Sequence, residues 1–234
     1  MISVKPPIPL FVTGTDTGIG KSVVTAGLLR ALAGRGLRVA GMKPIAAGAT
    51  RIDGVLINED AELLRACANV PLTRELVCPC IYEAPTAPQL AAAAAGESID
   101  LARIAAAYAT LRSRADLVLV EGIGGWALPL GETTMLADLP RRLGLPVLLV
   151  VGVRLGALNH ALLSARAIVD DGLPLAGWIA NMLAPDYAWA EGTVESLMAR
   201  LPAPLLARVP FRANPTPDTI APFLEAAAAR IAVP

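Results

Sequence analysis

The stretch Gly14-Thr15-Asp16-Thr17-Gly18-Ile19-Gly20-Lys21-Ser22 lies between an apolar run, Ile8 to Val12, and a segment rich in alanine and leucine, Val23 to Leu32. The run reads as a buried strand and the segment as a helix, stopped by Gly34 and Gly36. Strand, glycine-rich loop, Gly-Lys-Ser and helix, in that order, form the layout of a phosphate-binding loop. Glycines let backbone N–H groups turn inward around an anion, and the helix N-terminus adds partial positive charge. Lys21 would then reach the β- and γ-phosphates of a nucleotide, and the Ser22 hydroxyl would bind Mg²⁺. Five residues separate Gly14 from Gly20, where the general motif has four. A strand-to-helix turn without a ligand is the alternative; the flanking strand and helix favour the phosphate.

Composition limits the other options. At 234 residues the chain is long enough for one large α/β domain with a sizeable core. The core is aliphatic, because 55% of residues are hydrophobic and only 4% aromatic. Formal net charge is zero and no basic stripe stands out, so nucleic acid is not an expected partner. Cys67, Cys78 and Cys80 do not make a disulfide framework, and no second Cys or His pair completes a metal site around Cys78-Pro79-Cys80. Met1 to Pro9 lacks a signal-peptide core, and no apolar run reaches the ~20 residues of a membrane span. A soluble, cytoplasmic protein with free thiols is expected. Arginine is the default cation, and Lys5, Lys21 and Lys43 are the three lysines. A compact ammonium is not interchangeable with a guanidinium, so lysine at 21 and 43 suggests a need for a point charge.

Downstream, apolar strands alternate with helical patterns. Arg38 to Met42 reads as a strand, and Lys43 to Ala49 as a loop at its C-terminal end. Ala61 to Ala68 is helical, and Asn58-Glu59-Asp60 supplies acids to its first turn. Residues 69–88 read as irregular, and Gln89 to Ala95 and Asp100 to Arg112 as helices. Asp116 to Val120 is continuously apolar after its first residue, which implies a strand buried on both faces, and it ends in Glu121. An acid there is placed to support Mg²⁺ beside a phosphate loop. A short helix (Met135 to Leu143), a strand (Pro146 to Val151) and a helix opened by Val153 to His160 follow. Then come a strand (Leu175 to Asn181), a helix (Tyr187 to Leu201), a strand (Leu205 to Val209) and a helix (Thr219 to Ile231). This predicts one α/β domain of P-loop NTPase type, with about seven mainly parallel strands and helices on both faces. Right-handed crossovers place Gly14–Ser22, Lys43, Glu121, Gly152 and Asn181 on one sheet edge, where open α/β sheets bind ligands.

Taken together, several blocks resemble dethiobiotin synthetase. They are Phe11 to Thr17 with Gly20-Lys21-Ser22, Gly41 to Pro44, Val120 to Gly122 with Gly124-Gly125-Trp126, Val151 to Val153 with Leu155-Gly156 and Asn159-His160, and Pro202 to Leu206. The similarity runs to about Pro215, and the longer phosphate loop is similar to that family's own version. The resemblance implies an ATP- and Mg²⁺-dependent cyclo-ligase acting on 7,8-diaminononanoate and CO₂, as a homodimer. It implies that Thr17, Gly18, Ile19, Gly20, Lys21 and Ser22 form the nucleotide loop, and that Ser22, Asp60 and Glu121 bind Mg²⁺. Lys43 matches the lysine that holds the carbamate and the transferring phosphoryl group. Gly122, Ile123, Gly124, Asn181, Met182, Pro210, Phe211 and Arg212 match nucleotide-binding positions. Ala47 matches a substrate contact, and Leu155, Gly156 and Asn159 match the helix-start segment that receives the substrate carboxylate across the dimer interface.

The chain also departs from the family. Ala47 replaces a hydroxyl residue, for which backbone groups or Thr50 would substitute, and Gly18 stands where some relatives carry an acid. A tyrosine contact to the carboxylate aligns near Thr193, with Tyr187 as stand-in, and a late acidic ribose contact falls near Thr216 or Asp218. Two other readings use the same sheet. A partitioning-type ATPase switch usually carries an extra lysine early in the loop, where this chain has Thr15-Asp16-Thr17. A glutamine-fed amidating enzyme needs a Cys/His pair, and His160 is the sole histidine.

Overall fold

The computed structural model describes residues 7–232; Lys5 and the first residues of the Met1 to Pro9 stretch lie outside them. In chain order the strands are β1 (Leu10–Gly14), β2 (Val39–Met42), β3 (Ile45–Ala46), β4 (Thr50–Ile52), β5 (Val55–Ile57), β6 (Cys80–Ile81), β7 (Leu117–Glu121), β8 (Val147–Val153), β9 (Leu175–Met182) and β10 (Leu205–Val209). The helices are α1 (Lys21–Gly34), α2 (Glu59–Cys67), α3 (Arg74–Val77), α4 (Pro88–Ala94), α5 (Leu101–Arg114), α6 (Asp138–Leu143), α7 (Ala157–Asp170), α8 (Ala190–Met198) and α9 (Pro217–Ala232).

The central sheet has six strands in the order β10-β9-β8-β1-β7-β2, all parallel. Its strands are mostly apolar because both faces are covered, with Thr13, Glu121, Asn181 and Arg208 as the polar exceptions. Successive residues of β1 alternate between two cores: Leu10 and Val12 join Leu28, Leu148 and Leu224 under α1 and α9, while Phe11 joins Val120, Leu149 and Ala161 on the opposite face. Gly27 allows α1 and α9 to touch, since a Cβ there would stand 2.8 Å from Ile220 and Leu224. β1 lies between β7 and β8, so the chain wraps outward on both sides of it. The crevice at such a switch point, beyond the strand C-termini, is where these sheets bind ligands.

The sheet holds six strands rather than about seven. The segment read as a loop after Lys43 contains β3, which pairs with β6 inside the stretch read as irregular. Proline-rich sequence hides ladders this short, because two residues carry no periodicity. Residues 50–57 form an antiparallel hairpin, β4–β5, turned by Asp53 (φ 49°) and Gly54 (φ 80°). β8 runs on to Val153, so α7 begins at Ala157, four residues later than the expected opening. Among the described residues, no helix is long and apolar enough to cross a membrane.

Candidate functional site

Gly14 closes β1, and the loop turns through Gly18 (φ 73°) and Gly20 (φ 82°) before Lys21 opens α1. Gly20 is required twice over. Its backbone is left-handed, and a Cβ there would stand 2.5 Å from Asn181 Nδ2. That amide comes from β9 and donates to the Ile19 carbonyl at 2.8 Å, while the Ile19 side chain is buried in the α1-side core. No side chain caps α1, so its first N–H groups lack a side-chain acceptor beside the cleft that Lys21, Ser22 and Val23 line.

Four residues from four elements meet beside this loop. Lys43 follows β2 and is 4% exposed; its Nζ donates to Glu121 Oε1 at 2.6 Å, Asp60 Oδ2 at 3.0 Å and the Gly122 carbonyl at 3.3 Å. Glu121 ends β7 and is fully buried. Asp60 lies in the first turn of α2, whose N-cap Asn58 accepts from Ala61 N–H at 3.2 Å. Ser22, in the first turn of α1, donates from Oγ to Glu121 Oε1 at 2.7 Å. Glu121 Oε2 is buried without a hydrogen-bond partner among the described residues.

The electrostatics follow from burial and pairing. Burial alone would lower the Lys43 pKa, but the Glu121 and Asp60 carboxylates outweigh it and hold the ammonium above its ordinary value. Burial pushes Asp60 upward; the Lys43 charge and hydrogen bond overcome this and keep its carboxyl below the usual range. Lys21, with Nζ donating to the Asp16 carbonyl at 2.8 Å, is lowered to about 8, first by burial and then by the Lys43 charge. The site therefore holds two ammonium groups and two carboxylates at close quarters, one of the ammoniums poised near neutrality.

A cleft of about 750 Å³ opens over this cluster. Thr17, Gly18, Gly20, Lys21, Ser22, Lys43, Ala47, Asp60, Ile123 and Gly124 line it, and Pro85 to Pro88 with Leu128 form the far wall. A second cleft of about 200 Å³ shares Gly18, Gly20 and Val23, and is bounded by Asn181, Met182, Pro210, Phe211 and Arg212. The Arg212 guanidinium sits 5.3 Å from the Phe223 ring centre. The phosphate loop thus separates a polar, charged chamber from a smaller one made by the ends of β9 and β10.

Other residues singled out in the sequence lie elsewhere. Leu155 is 86% exposed, Gly156 is the left-handed N-cap of α7, and Asn159 is exposed; none lines either cleft. Thr50 stands on the exposed hairpin, and Thr86 is the threonine on the far wall. Thr193 is buried, 3.2 Å from the Tyr187 hydroxyl. Thr216 bonds with Thr219 at the start of α9, and Asp218 pairs with Arg30 at 3.3 Å. Asn58 reads in the sequence only as part of the α2 start; it caps that helix, as an Asn before an acidic helix start signals, and also lines the cleft. All three cysteines are free and buried, and burial pushes the Cys78 thiol to about 12.

Among the described residues no three or more His, Cys, Asp or Glu side chains gather in a metal-binding group. Mg²⁺ does not require one, since it is commonly held by one or two carboxylates with waters and substrate phosphates. The hydroxyl and two carboxylates at Ser22, Asp60 and Glu121 form a hard-oxygen set, and the orphaned Glu121 Oε2 has capacity for a cation.

Similarity to known proteins agrees with this architecture. The MinC:MinD cell division protein complex of Aquifex aeolicus superposes with a TM-score of 0.60 at 13% identity, covering 96% of this chain and 95% of that one. The MinD cell division protein of Aquifex aeolicus gives 0.56 at 15% identity over 96% of each chain. Chloroplast FtsY of Physcomitrella patens gives 0.50 at 20% identity over 96% of this chain and 67% of that one. At these identities the likeness is one of fold. Residues 9–219 match the model of the family described as AAA domain, and the chain belongs to that family, with a P-loop NTPase-type fold.

Proposed function

We propose that this protein is an ATP-dependent cyclo-ligase that closes a cyclic urea on 7,8-diaminononanoate with CO₂, yielding dethiobiotin. The observation that carries this is the second lysine. Lys43 is buried outside the phosphate loop yet shares Glu121 with Ser22. A nucleotide switch has no evident need for a buried ammonium facing a roomy cleft; transfer of a phosphoryl group to an anionic acceptor does.

In this reading the Thr17–Ser22 loop and the α1 N-terminus cradle the phosphates, Lys21 neutralises the β- and γ-phosphates, and the smaller chamber at Asn181, Met182 and Pro210–Arg212 takes the base. Ser22, Asp60 and Glu121 would hold Mg²⁺, which when bound supplies charge neutralisation for the triphosphate. One substrate amine adds to CO₂ and loses a proton, giving a carbamate. Lys43 moves from its carboxylate partners to the carbamate and the γ-phosphoryl oxygens. The carbamate oxygen attacks the γ-phosphorus, and ADP departs. The second amine attacks the carbamoyl carbon of the mixed anhydride, loses a proton and expels phosphate. Positioning and charge neutralisation suffice for these steps, consistent with a site that presents neither a nucleophilic cysteine nor a histidine.

The α7 start supports the dimer. Leu155 and Leu158 are exposed apolar residues there, Leu163 is another further along the helix, and a helix N-terminus suits a carboxylate. The likeness to the MinC:MinD complex keeps one other reading in view, a partner-regulated ATPase. The two separate on ADP release: the ligase makes ADP only when both the diamine and bicarbonate are present, together with cyclic urea. ADP formed without the diamine, or without urea, would remove the ligase assignment.

A further inference from the structure

Asp16 is an acid inside a loop shaped to hold a polyanion, where it would ordinarily repel the ligand. Each of its oxygens is engaged. Oδ1 accepts the Thr17 N–H at 2.7 Å, Oδ2 accepts from Arg154 Nη2 at 2.6 Å, and the carbonyl accepts from Lys21 Nζ at 2.8 Å. Arg154 comes from the short connection between β8 and α7, 138 positions away in sequence. The end of β8, just before it, meets the loop through neutral bonds, Thr15 N–H to the Val150 carbonyl at 3.1 Å and Gly152 N–H to Thr15 Oγ1 at 3.4 Å. Arg154 adds a formal charge to this seam. Both partners are close to half exposed, at 46% and 43%.

We propose that Arg154 is a positioning residue for the nucleotide, acting through Asp16. Its guanidinium cancels the negative charge that Asp16 would turn toward the phosphates. It also holds the Asp16 side chain on the Thr17 N–H, which fixes the peptide leading into Gly18. The same residue's carbonyl carries Lys21, so a displaced Asp16 releases the lysine that meets the β- and γ-phosphates. A half-exposed ion pair adds little to global stability. Its effect therefore appears in ligand binding rather than in melting. The inference stands whichever acceptor receives the phosphoryl group, and so is independent of the reaction assigned above.

The test is a titration of the full chain with a fluorescent ATP analogue and Mg²⁺, at low and high salt, alongside thermal melting. Arg154→Met is expected to weaken binding by about tenfold, a coupling typical of directly interacting sites. The ratio to the unaltered protein should shrink as salt screens the exposed Asp16 charge. Arg154→Lys should fall between the two. Asp16→Asn removes the charge that needs cancelling, so adding Arg154→Met to it should cost less than about twofold. Melting temperatures should stay level. Unchanged affinity in Arg154→Met would overturn the proposal. So would losses that add fully in the double variant, or a joint fall in affinity and melting temperature that Asp16→Asn does not relieve.

Discussion

Lys43 Nζ lies 2.6 Å from Glu121 Oε1, and the sheet register puts it there: Met42 of β2 pairs with Val120 of β7, so the next residue of each strand meets at the C-terminal edge. Breaking a buried pair by removing one member costs about 3–5 kcal/mol, because the remaining charge is left uncompensated. Lys43→Met should therefore lower the melting temperature, and Mg·ATP should recover more of it than in the unaltered protein, since the cation gives Glu121 a new counter-charge. Turnover should fall by about 10²- to 10³-fold while ATP binding persists. Calorimetry and a coupled ADP assay read both; an unchanged melt or unchanged turnover would contradict the role given to Lys43.

The pH behaviour of Lys21 differs from that of Lys43. Burial and the neighbouring Lys43 lower it to about 8, and its proposed role is to meet the phosphates as an ammonium. ATP affinity should be full below that value and weaken by about tenfold per pH unit above it, the limit for one proton. Lys21→Arg, which keeps its charge, should flatten the profile. A flat profile in the unaltered protein between pH 7 and 10 would show that Lys21 does not titrate there.

Gly20→Ala should damage both fold and ligand binding. Left-handed backbone costs an L-residue about 1–2 kcal/mol, and the new methyl would displace the Asn181 amide that holds the Ile19 carbonyl. Gly34, the last residue of α1, has open space and no positive φ. Gly34→Ala should stabilise by about 0.4–1 kcal/mol through the unfolded chain. Urea denaturation of the two variants checks the contrast; equal effects would refute it.

Leu155, in the connection before α7, and Leu163 on α7 expose apolar surface, at 86% and 59%. If that face joins two copies, Leu155→Glu should shift the protein to monomer in sedimentation velocity while nucleotide binding remains. A variant that sediments like the unaltered protein would move the interface elsewhere.

Much of this was legible in the sequence because its signals are local or strictly periodic. Gly14–Ser22 announced the loop, and the continuous apolar run ending in Glu121 announced a doubly covered strand whose acid sits at the C-terminal edge of the sheet. What escaped has physical causes. β3 and β6 are two residues long and pair across Pro44 and Pro79, too short for any period to show. The β4–β5 hairpin was recoverable, since Asp53-Gly54 between Ile52 and Val55 is a type I′ signature, but its strands are only three residues each, too short for alternation to show. The Arg154–Asp16 pair was invisible, because it joins distant residues by side-chain geometry alone. Lys43 could be placed on the edge from sequence, whereas its union with Glu121, Asp60 and Gly122 required the register of β2 against β7.

The transfer itself can be followed with ¹⁸O-labelled bicarbonate in a short incubation with diaminononanoate, Mg²⁺ and ATP, reading phosphate and cyclic urea by mass spectrometry. Attack of a carbamate oxygen on the γ-phosphorus predicts one label in the released phosphate and one in the urea carbonyl, with ADP equal to urea. Phosphate free of label, or ADP released without urea, would contradict a carbamate as the phosphoryl acceptor and with it the assignment of Lys43.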